Sequence, residues 1–265
     1  MSGGTWSEAH DTAARSLVDA AETLTPCAPL RELLPTGTVD DGYAIAQRVV
    51  ELNGRGRRLV GRKIGLTSAA VQEQMGVDTP DFGMLFADMA YGDSEPVPTG
   101  RLLQPKVEGE IAFVLGTDLP DHPVVSSEVI RAVDFVVAAI EIVDSRIRDW
   151  DISIFDTVAD NASSGLFVLG GSPRLLTDVD DLRTVAMELS CGGEVLSAGT
   201  GAGCLGHPLN AVVWLANAVA QRGSPLRAGE VILSGSLGPL VPVQTGRIYE
   251  ATFSGLGSVR ARFVD

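Results

Sequence analysis

The sequence predicts an α+β fold in which a small N-terminal helical lobe precedes a β-rich core. Two segments near the N-terminus repeat apolar residues at helical spacing. From about Leu102 onward the pattern changes to short β-type runs broken by Gly and Pro, with one amphipathic helix among them. The Pro-rich stretch from Glu95 to Pro105 divides the two patterns. It gives an expected lobe over residues 1–100, holding both helices and the Lys63 segment, and an expected core over residues 101–265.

In residues 7–24, Ala9, Ala13, Leu17, Ala20 and Leu24 fall at helical spacing, and Ile45, Val49 and Leu52 repeat the pattern over residues 39–53. Pro26, Pro29 and Pro35 mark a loop between these helices, because proline lacks the N–H that a helix interior needs. The Gly-Arg-Gly-Arg-Arg segment at residues 54–58 ends the second helix and turns into a strand near Leu59 to Leu66. Asp78-Thr-Pro-Asp-Phe-Gly83 reads as a turn-rich loop, where Asp commonly bonds the local backbone. Strands are expected at 107–115, 134–143, 164–169, 184–190, 230–234, 247–253 and 258–264. The interrupting helix runs from Pro208 to Arg222, with Val212, Leu215, Ala216 and Val219 on one face and Gly223 at its end. Its Val213 and Trp214 are expected to pack on the sheet.

Composition narrows the function classes. The 265-residue chain is long enough to bury a substantial core. It contains no run approaching the roughly 20 apolar residues that a membrane span requires. No basic start followed by an apolar segment opens the chain, so no secretory signal is readable and cytoplasmic residence is the default expectation. Cys27, Cys191 and Cys204 are too few and too scattered for a disulfide framework or a zinc knuckle, and read as reduced bystanders. With 34 Asp+Glu against 20 Lys+Arg, the net charge of −14 repels nucleic acid and anionic lipid. A small anionic ligand stays compatible, because a metal and a few basic groups reverse the field inside a cleft. The stretch Gly199-Thr-Gly-Ala-Gly203 does not follow a clear strand and does not fit a dinucleotide fingerprint. His10, His122 and His207 accompany no nucleophile motif.

The chemistry-bearing feature is a set of carboxylates inside apolar runs. Glu108 and Glu110 lie one residue apart in Val-Glu-Gly-Glu-Ile-Ala-Phe-Val-Leu, and side chains two apart on a strand point to the same face. Glu141 interrupts a second apolar run, Phe135-Val-Val-Ala-Ala-Ile-Glu-Ile-Val143. If the two runs are neighbouring strands, three carboxylates converge and repel unless a cation sits among them. An all-oxygen site suits Mg²⁺ or Mn²⁺ better than zinc. The alternative is a solvated strand face or pairing with Arg. Lys63, in a Gly-flanked strand, is either a surface residue covering apolar area with its stem or a functional cation beside that cluster. Residues 156–165 concentrate short polar groups that form either a capped helix end or a substrate-binding loop. Arg146 and Arg148 supply either carboxylate recognition or ion pairs.

Several long segments, in order, then carry a resemblance over nearly the whole length. They are Gly61-Arg-Lys-Ile-Gly-Leu-Thr-Ser68, Gly76-Val-Asp-Thr-Pro-Asp-Phe-Gly83, Leu85-Phe-Ala-Asp-Met89 and Gln104-Pro-Lys-Val-Glu-Gly-Glu-Ile-Ala112. Ala139-Ile-Glu-Ile-Val-Asp-Ser-Arg-Ile-Arg-Asp-Trp150 and Val158-Ala-Asp-Asn-Ala-Ser-Ser-Gly165 complete the set. On these residues the chain resembles the 2-hydroxypenta-2,4-dienoate hydratase (2-keto-4-pentenoate hydratase) family, related to 4-oxalocrotonate decarboxylases within the fumarylacetoacetate hydrolase superfamily.

The resemblance implies a mixed β-barrel or roll core and Mg²⁺ or Mn²⁺ held at Glu108, Glu110 and Glu141. It also implies active-site roles for Lys63, Asp81 and Ser163, and a homo-oligomer acting on a small 2-hydroxydienoate or 2-oxo acid. Residues 231–238 are similar to a substrate-contacting loop, which makes Ser236 a candidate for the substrate carboxylate beside Arg146. The activity implied is hydration of 2-hydroxypenta-2,4-dienoate in meta-cleavage catabolism of aromatic or steroid rings, with association with a downstream aldolase as a further expectation. Decarboxylation of 4-oxalocrotonate and non-catalytic oxo-acid binding are the rivals.

Overall fold

Ser7 opens the first helix, α1 (Glu8–Thr23), by accepting a hydrogen bond from the His10 backbone, and Leu24 closes it in the left-handed conformation. Helix α2 (Val39–Leu52) begins with a reciprocal capping box between Thr38 and Asp41. The chain is seen here as a computed structural model that describes residues 7–53, 56–68, 72–73 and 76–265. The Gly54-Arg55 part of the expected turn and the first six residues lie outside the described residues. The apolar stripes of α1 and α2 meet in a small cluster of Ala13, Ala14, Leu17, Leu30 and Ile45. Ile147, Phe155 and Ala159, from far along the sequence, complete that cluster.

The remainder is built on two sheets. The larger has its strands in the order β2 (Asp81–Phe86), β1 (Leu59–Gly65), β10 (Val231–Leu233), β5 (Lys106–Leu115), β6 (Val133–Val143), β7 (Ser164–Leu169) and β3 (Ala90–Gly92). The short β11 (Val241–Pro242) pairs with the start of β5. The smaller sheet runs β4 (Pro96–Pro98), β13 (Gly257–Val264), β12 (Ile248–Phe253), β8 (Ala186–Cys191) and β9 (Glu194–Thr200). Strands β5 and β6 pack against β8, β12 and β13, so the main core lies between the sheets.

This topology selects the roll from the expected barrel-or-roll core and corrects one local reading. The larger sheet is an open path that ends at β2 and β3, so the β-rich core is a roll of two packed sheets and not a closed barrel. The turn-rich reading of residues 78–83 holds only up to Pro80, since β2 begins at Asp81 and pairs antiparallel with β1. Tertiary pairing overrides the local turn signal there. The expected division at residue 100 runs through the larger sheet, because β1 and β2 hydrogen-bond into it from before that point.

The remaining helices are α3 (Ser126–Ala132), α4 (Ile154–Ala159) and α5 (Pro208–Gln221). In α5, Val212, Leu215, Ala216 and Val219 are buried as expected, and Trp214 meets Phe82 edge-on with ring centroids 6.4 Å apart. The Gly199–Gly203 stretch has a packing reason. A Cβ at Gly199 would stand 1.7 Å from the Leu237 carbonyl oxygen and one at Gly201 would stand 1.8 Å from that of Leu182.

Gly61 imposes the same constraint where β1 and β10 pair in parallel, since its Cβ would lie 1.9 Å from the Val231 carbonyl oxygen. Gly61→Ala is expected to destabilise the protein by about 1–3 kcal/mol through overpacking. Thermal unfolding followed by circular dichroism should show a midpoint lowered by about 2–10 °C.

Candidate active site and metal centre

Strand alternation and register bring five ionisable side chains to one face of the larger sheet. Glu108 is the direct cross-strand partner of Glu141, and Glu110 lies two residues along β5 from Glu108. Across the sheet, Lys63 pairs with Leu233, which pairs with Ala112 of β5, so Lys63 shares the face of Glu110. Asp81 of β2 is the partner of Gly65 and joins the same face. The opposite face of β5 looks at the smaller sheet, where a Cβ on Gly109 would meet Met187 Sδ at 2.8 Å.

The three glutamates are buried, and one carboxylate oxygen from each lies within 4.8 Å of the others. Two unit charges at 4.8 Å repel by about 3 kcal/mol at an effective dielectric of about 20. Glu110 Oε2 accepts a hydrogen bond of 2.8 Å from the Gly235 backbone N–H. Glu110 Oε1 and both oxygens of Glu141 accept none among the described residues. Lys63 Nζ approaches Glu141 Oε1 to 3.2 Å as an ion pair and donates to the Ala162 carbonyl at 2.9 Å.

Burial, opposed by Lys63, pushes the Glu141 carboxyl up to about 8. Burial and the two neighbouring glutamates raise Glu110 well above the carboxylate range. Burial alone would depress Lys63, but the carboxylates of Glu141, Asp81, Glu108 and Glu110 outweigh it and keep the ammonium charged. Asp81 is raised by burial, with Lys63 opposing.

Buried carboxylate oxygens without donors, grouped around one point, are the arrangement a hard divalent cation satisfies. The residues present therefore fit such an ion. The absence of His or Cys from the trio argues against a zinc-type donor set. Asp81 Oδ1 is likewise without a hydrogen bond, and Gly65 makes room for it, since a Cβ there would lie 2.2 Å from that oxygen.

Residues 153–164 contain the capped helix that is one of the two readings of residues 156–165. Ser153 and Asp156 form the capping box of α4, and Arg31 binds the buried Asp156 carboxylate at 2.7 Å. Beyond α4, Asn161, Ala162 and Ser163 all adopt positive φ, at 54°, 52° and 52°. Left-handed backbone costs about 1–2 kcal/mol per residue for side chains other than glycine, so the surrounding bonds must hold this turn. Those bonds are identifiable. The Asn161 amide accepts from the Met84 N–H at 2.7 Å and donates to the Met84 carbonyl at 2.9 Å, acting as a strand partner for β2.

The sequence-selected residues do not all meet. Lys63, Asp81, Glu108, Glu110 and Glu141 converge, and Ser163 belongs to the turn beside them, its Oγ 3.2 Å from Thr157 Oγ1. Ser236 Oγ is engaged with the Gly238 backbone, and its neighbour Gly235 is the loop residue that reaches Glu110. Arg146 is committed elsewhere: it is ion-paired with Asp160 and donates to the Ser164 carbonyl at 2.7 Å and the Asp160 carbonyl at 2.6 Å. The ion-pair alternative is the one realised for this arginine. Burial, opposed by Arg146, pushes Asp160 up to about 6. Sequence reasoning missed the Gly235 N–H and the Ala162 carbonyl, because backbone groups leave no trace in side-chain patterns, and the Asn161 side-chain amide, which is one of several short polar groups in residues 156–165.

Residues 38–264 match the family described as fumarylacetoacetate (FAA) hydrolase C-terminal. The chain belongs to the fumarylacetoacetate hydrolase family. Within that family it is similar to a 2-keto-4-pentenoate hydratase of Burkholderia vietnamiensis (strain G4 / LMG 22486), 59% identical over 90% of this chain and 91% of that protein. A 2-keto-4-pentenoate hydratase of Paraburkholderia xenovorans (strain LB400) is 55% identical over 96% of this chain and 94% of its own length. Among solved structures, 4-oxalocrotonate decarboxylase from Pseudomonas putida G7, complexed with magnesium and adipate, superposes with a TM-score of 0.93 at 36% identity. That match covers 99% of this chain and 100% of the decarboxylase. No helix among the described residues is long and apolar enough to cross a membrane.

The glutamate trio generates a test with two arms. With a chelator present, Glu110→Gln is expected to melt at or above the wild-type temperature, because a neutral amide replaces the carboxyl that burial and its glutamate neighbours disfavour ionising. Saturating Mg²⁺ or Mn²⁺ should raise the wild-type midpoint and leave the variant nearly unmoved. Differential scanning calorimetry of both proteins, with and without metal, reads each arm.

Proposed function

We propose that this protein is a hydro-lyase that uses Mg²⁺ or Mn²⁺ to hydrate 2-hydroxypenta-2,4-dienoate (2-oxopent-4-enoate) to 4-hydroxy-2-oxopentanoate, in meta-cleavage catabolism of aromatic or steroid rings. The observation that carries this reading is the buried face formed by Glu108, Glu110, Glu141, Lys63 and Asp81 in a chain 55–59% identical to proteins named 2-keto-4-pentenoate hydratase. A divalent cation held by the three glutamates would supply fixed positive charge for the substrate carboxylate and 2-oxygen.

The remaining work falls to side chains of this chain. The substrate loses its 2-hydroxyl proton and gains a proton at C5, which leaves a 2-oxo-3-enoate whose C4 is electrophilic. Water then adds across C3 and C4, with hydroxyl to C4 and hydrogen to C3, so the product is heavier by one water. Lys63, cationic and fixed between Glu141 and the Ala162 carbonyl, stabilises negative charge at the 2-oxygen. Asp81, buried with one oxygen unbonded, orients the water and takes its proton. Ser163, assigned an active-site role in the same reading, lies in the turn that carries the Ala162 carbonyl. A homo-oligomer, and hand-over of the 2-oxo acid product to an aldolase, belong to the same reading.

Decarboxylation of 4-oxalocrotonate is the second reading, favoured by the close superposition on the decarboxylase. Both reactions pass through a delocalised negative charge on a 2-oxo acid, so product analysis separates them. Ultraviolet absorbance of 2-hydroxypenta-2,4-dienoate should fall only when metal is restored to stripped protein, with a product heavier by one water. Intact dienoate and carbon dioxide release from 4-oxalocrotonate would assign decarboxylation instead. Lys63→Met and Asp81→Asn are each expected to lower kcat by about 10²–10⁴-fold with the fold retained.

A further inference from the structure

We infer that Asn161 is a positioning residue: its side-chain amide clamps the left-handed turn at residues 161–163 to β2, so that the Ala162 carbonyl holds Lys63 in place against Glu141. The inference rests on the proposed hydratase reading for its kinetic readout alone.

Four observations support it. Lys63 is buried, so its ammonium must be satisfied by protein groups, and those in reach are Glu141 Oε1, its ion-pair partner at 3.2 Å, and the Ala162 carbonyl, which accepts its hydrogen bond at 2.9 Å. That carbonyl is directed by three consecutive residues at positive φ, of which only Asn161 belongs to a type that visits this region readily. The Asn161 amide makes both bonds a strand partner would make to Met84, at 2.7 and 2.9 Å, and Met84 is the cross-strand partner of Arg62, next to Lys63. Finally, a Cβ on Gly83, the register partner of Lys63, would lie 2.3 Å from the Asn161 carbonyl oxygen, so the turn is seated directly on the strand. The amide therefore ties the acceptor of Lys63 to the strand that pairs with Lys63. Neither bond touches the glutamates, which separates this device from metal binding.

Asn161→Gly tests the clamp, because glycine keeps the left-handed backbone accessible while removing both side-chain bonds. The variant is expected to lose about 10²-fold in kcat, the scale of a displacement of about 1 Å in a reacting group, with KM and Mn²⁺ affinity near wild type. Asn161→Asp, which can still accept from the Met84 N–H, should recover part of the loss. An activity-independent arm follows Lys63 itself by trinitrobenzenesulfonate labelling and peptide mass, using folded protein of each kind. Lys63 should be protected in wild type and label faster in Asn161→Gly. Wild-type kcat together with unchanged Lys63 protection in the glycine variant would overturn the inference, as would parallel loss of Mn²⁺ binding. Should Asn161→Gly not fold, equal kcat and labelling in wild type and Asn161→Asp would overturn it. Should wild-type protein leave the dienoate untouched, the hydratase reading fails and the labelling arm still decides the clamp.

Discussion

One ammonium set among four buried carboxyl groups is the arrangement to which the rest of the molecule is fitted. Glu108, Glu110, Glu141 and Asp81 share a face with Lys63, and a single positive charge cannot balance them if all ionise. The protein limits the cost by giving some of these groups a partner that water would otherwise supply. The Gly235 N–H serves one oxygen of Glu110, and the Ala162 carbonyl serves Lys63. What it leaves unserved, on Glu110, Glu141 and Asp81, is the set of oxygens that cation, substrate and water would use. An orphaned acceptor in a native core calls for a physical reason, and a catalytic or ion-binding role is one such reason.

The helical lobe acquires its meaning from this site. Its apolar cluster closes over Ile147, Phe155 and Ala159, so α1 and α2 are packed on α4 and on the segment leading into it. Arg31 adds a bond from the lobe to Asp156, the capping residue of α4. The end of α4 runs directly into the left-handed turn. A lobe lying away from the carboxylates thus supports the backbone that carries the acceptor of Lys63, as expected where strain is stored beside reacting groups.

Much of this was legible in sequence, for reasons that differ by element. Both N-terminal helices and α5 announce themselves because apolar residues at helical spacing must bury one stripe. Strands β5 and β6 read clearly because they are long and buried on both faces, and a glutamate in such a run stands out. Strands β2 and β9 did not. Asp78 to Gly83 carries Pro, Asp and Gly, and most of β9 is exposed, so neither shows the pattern a half-buried strand produces. Within the site, the resemblance selected Asp81, which the register places on one face with Lys63, whereas the pairing of Arg146 with Asp160 has no signal in the sequence. The open roll, in place of a barrel, depends on how the outermost strands fail to meet, a property no local pattern encodes.

Glu108 facing Glu141 across the β5–β6 ladder has an evolutionary consequence. Side-chain direction on a strand alternates, so inserting or deleting one residue within either strand on the inner side of these glutamates would turn a carboxylate toward the dry layer that holds Met187. Such lineages lose both site and core at once. The irregularity in this pairing falls at Val114/Leu115, beyond the glutamates, and the connection over residues 116–132 lies outside the ladder. A length change in the part of that connection before α3 would leave the register of the glutamates intact, since closing a longer loop costs little. The carboxylates of the candidate site thereby also act as a ruler that fixes the spacing of two strands.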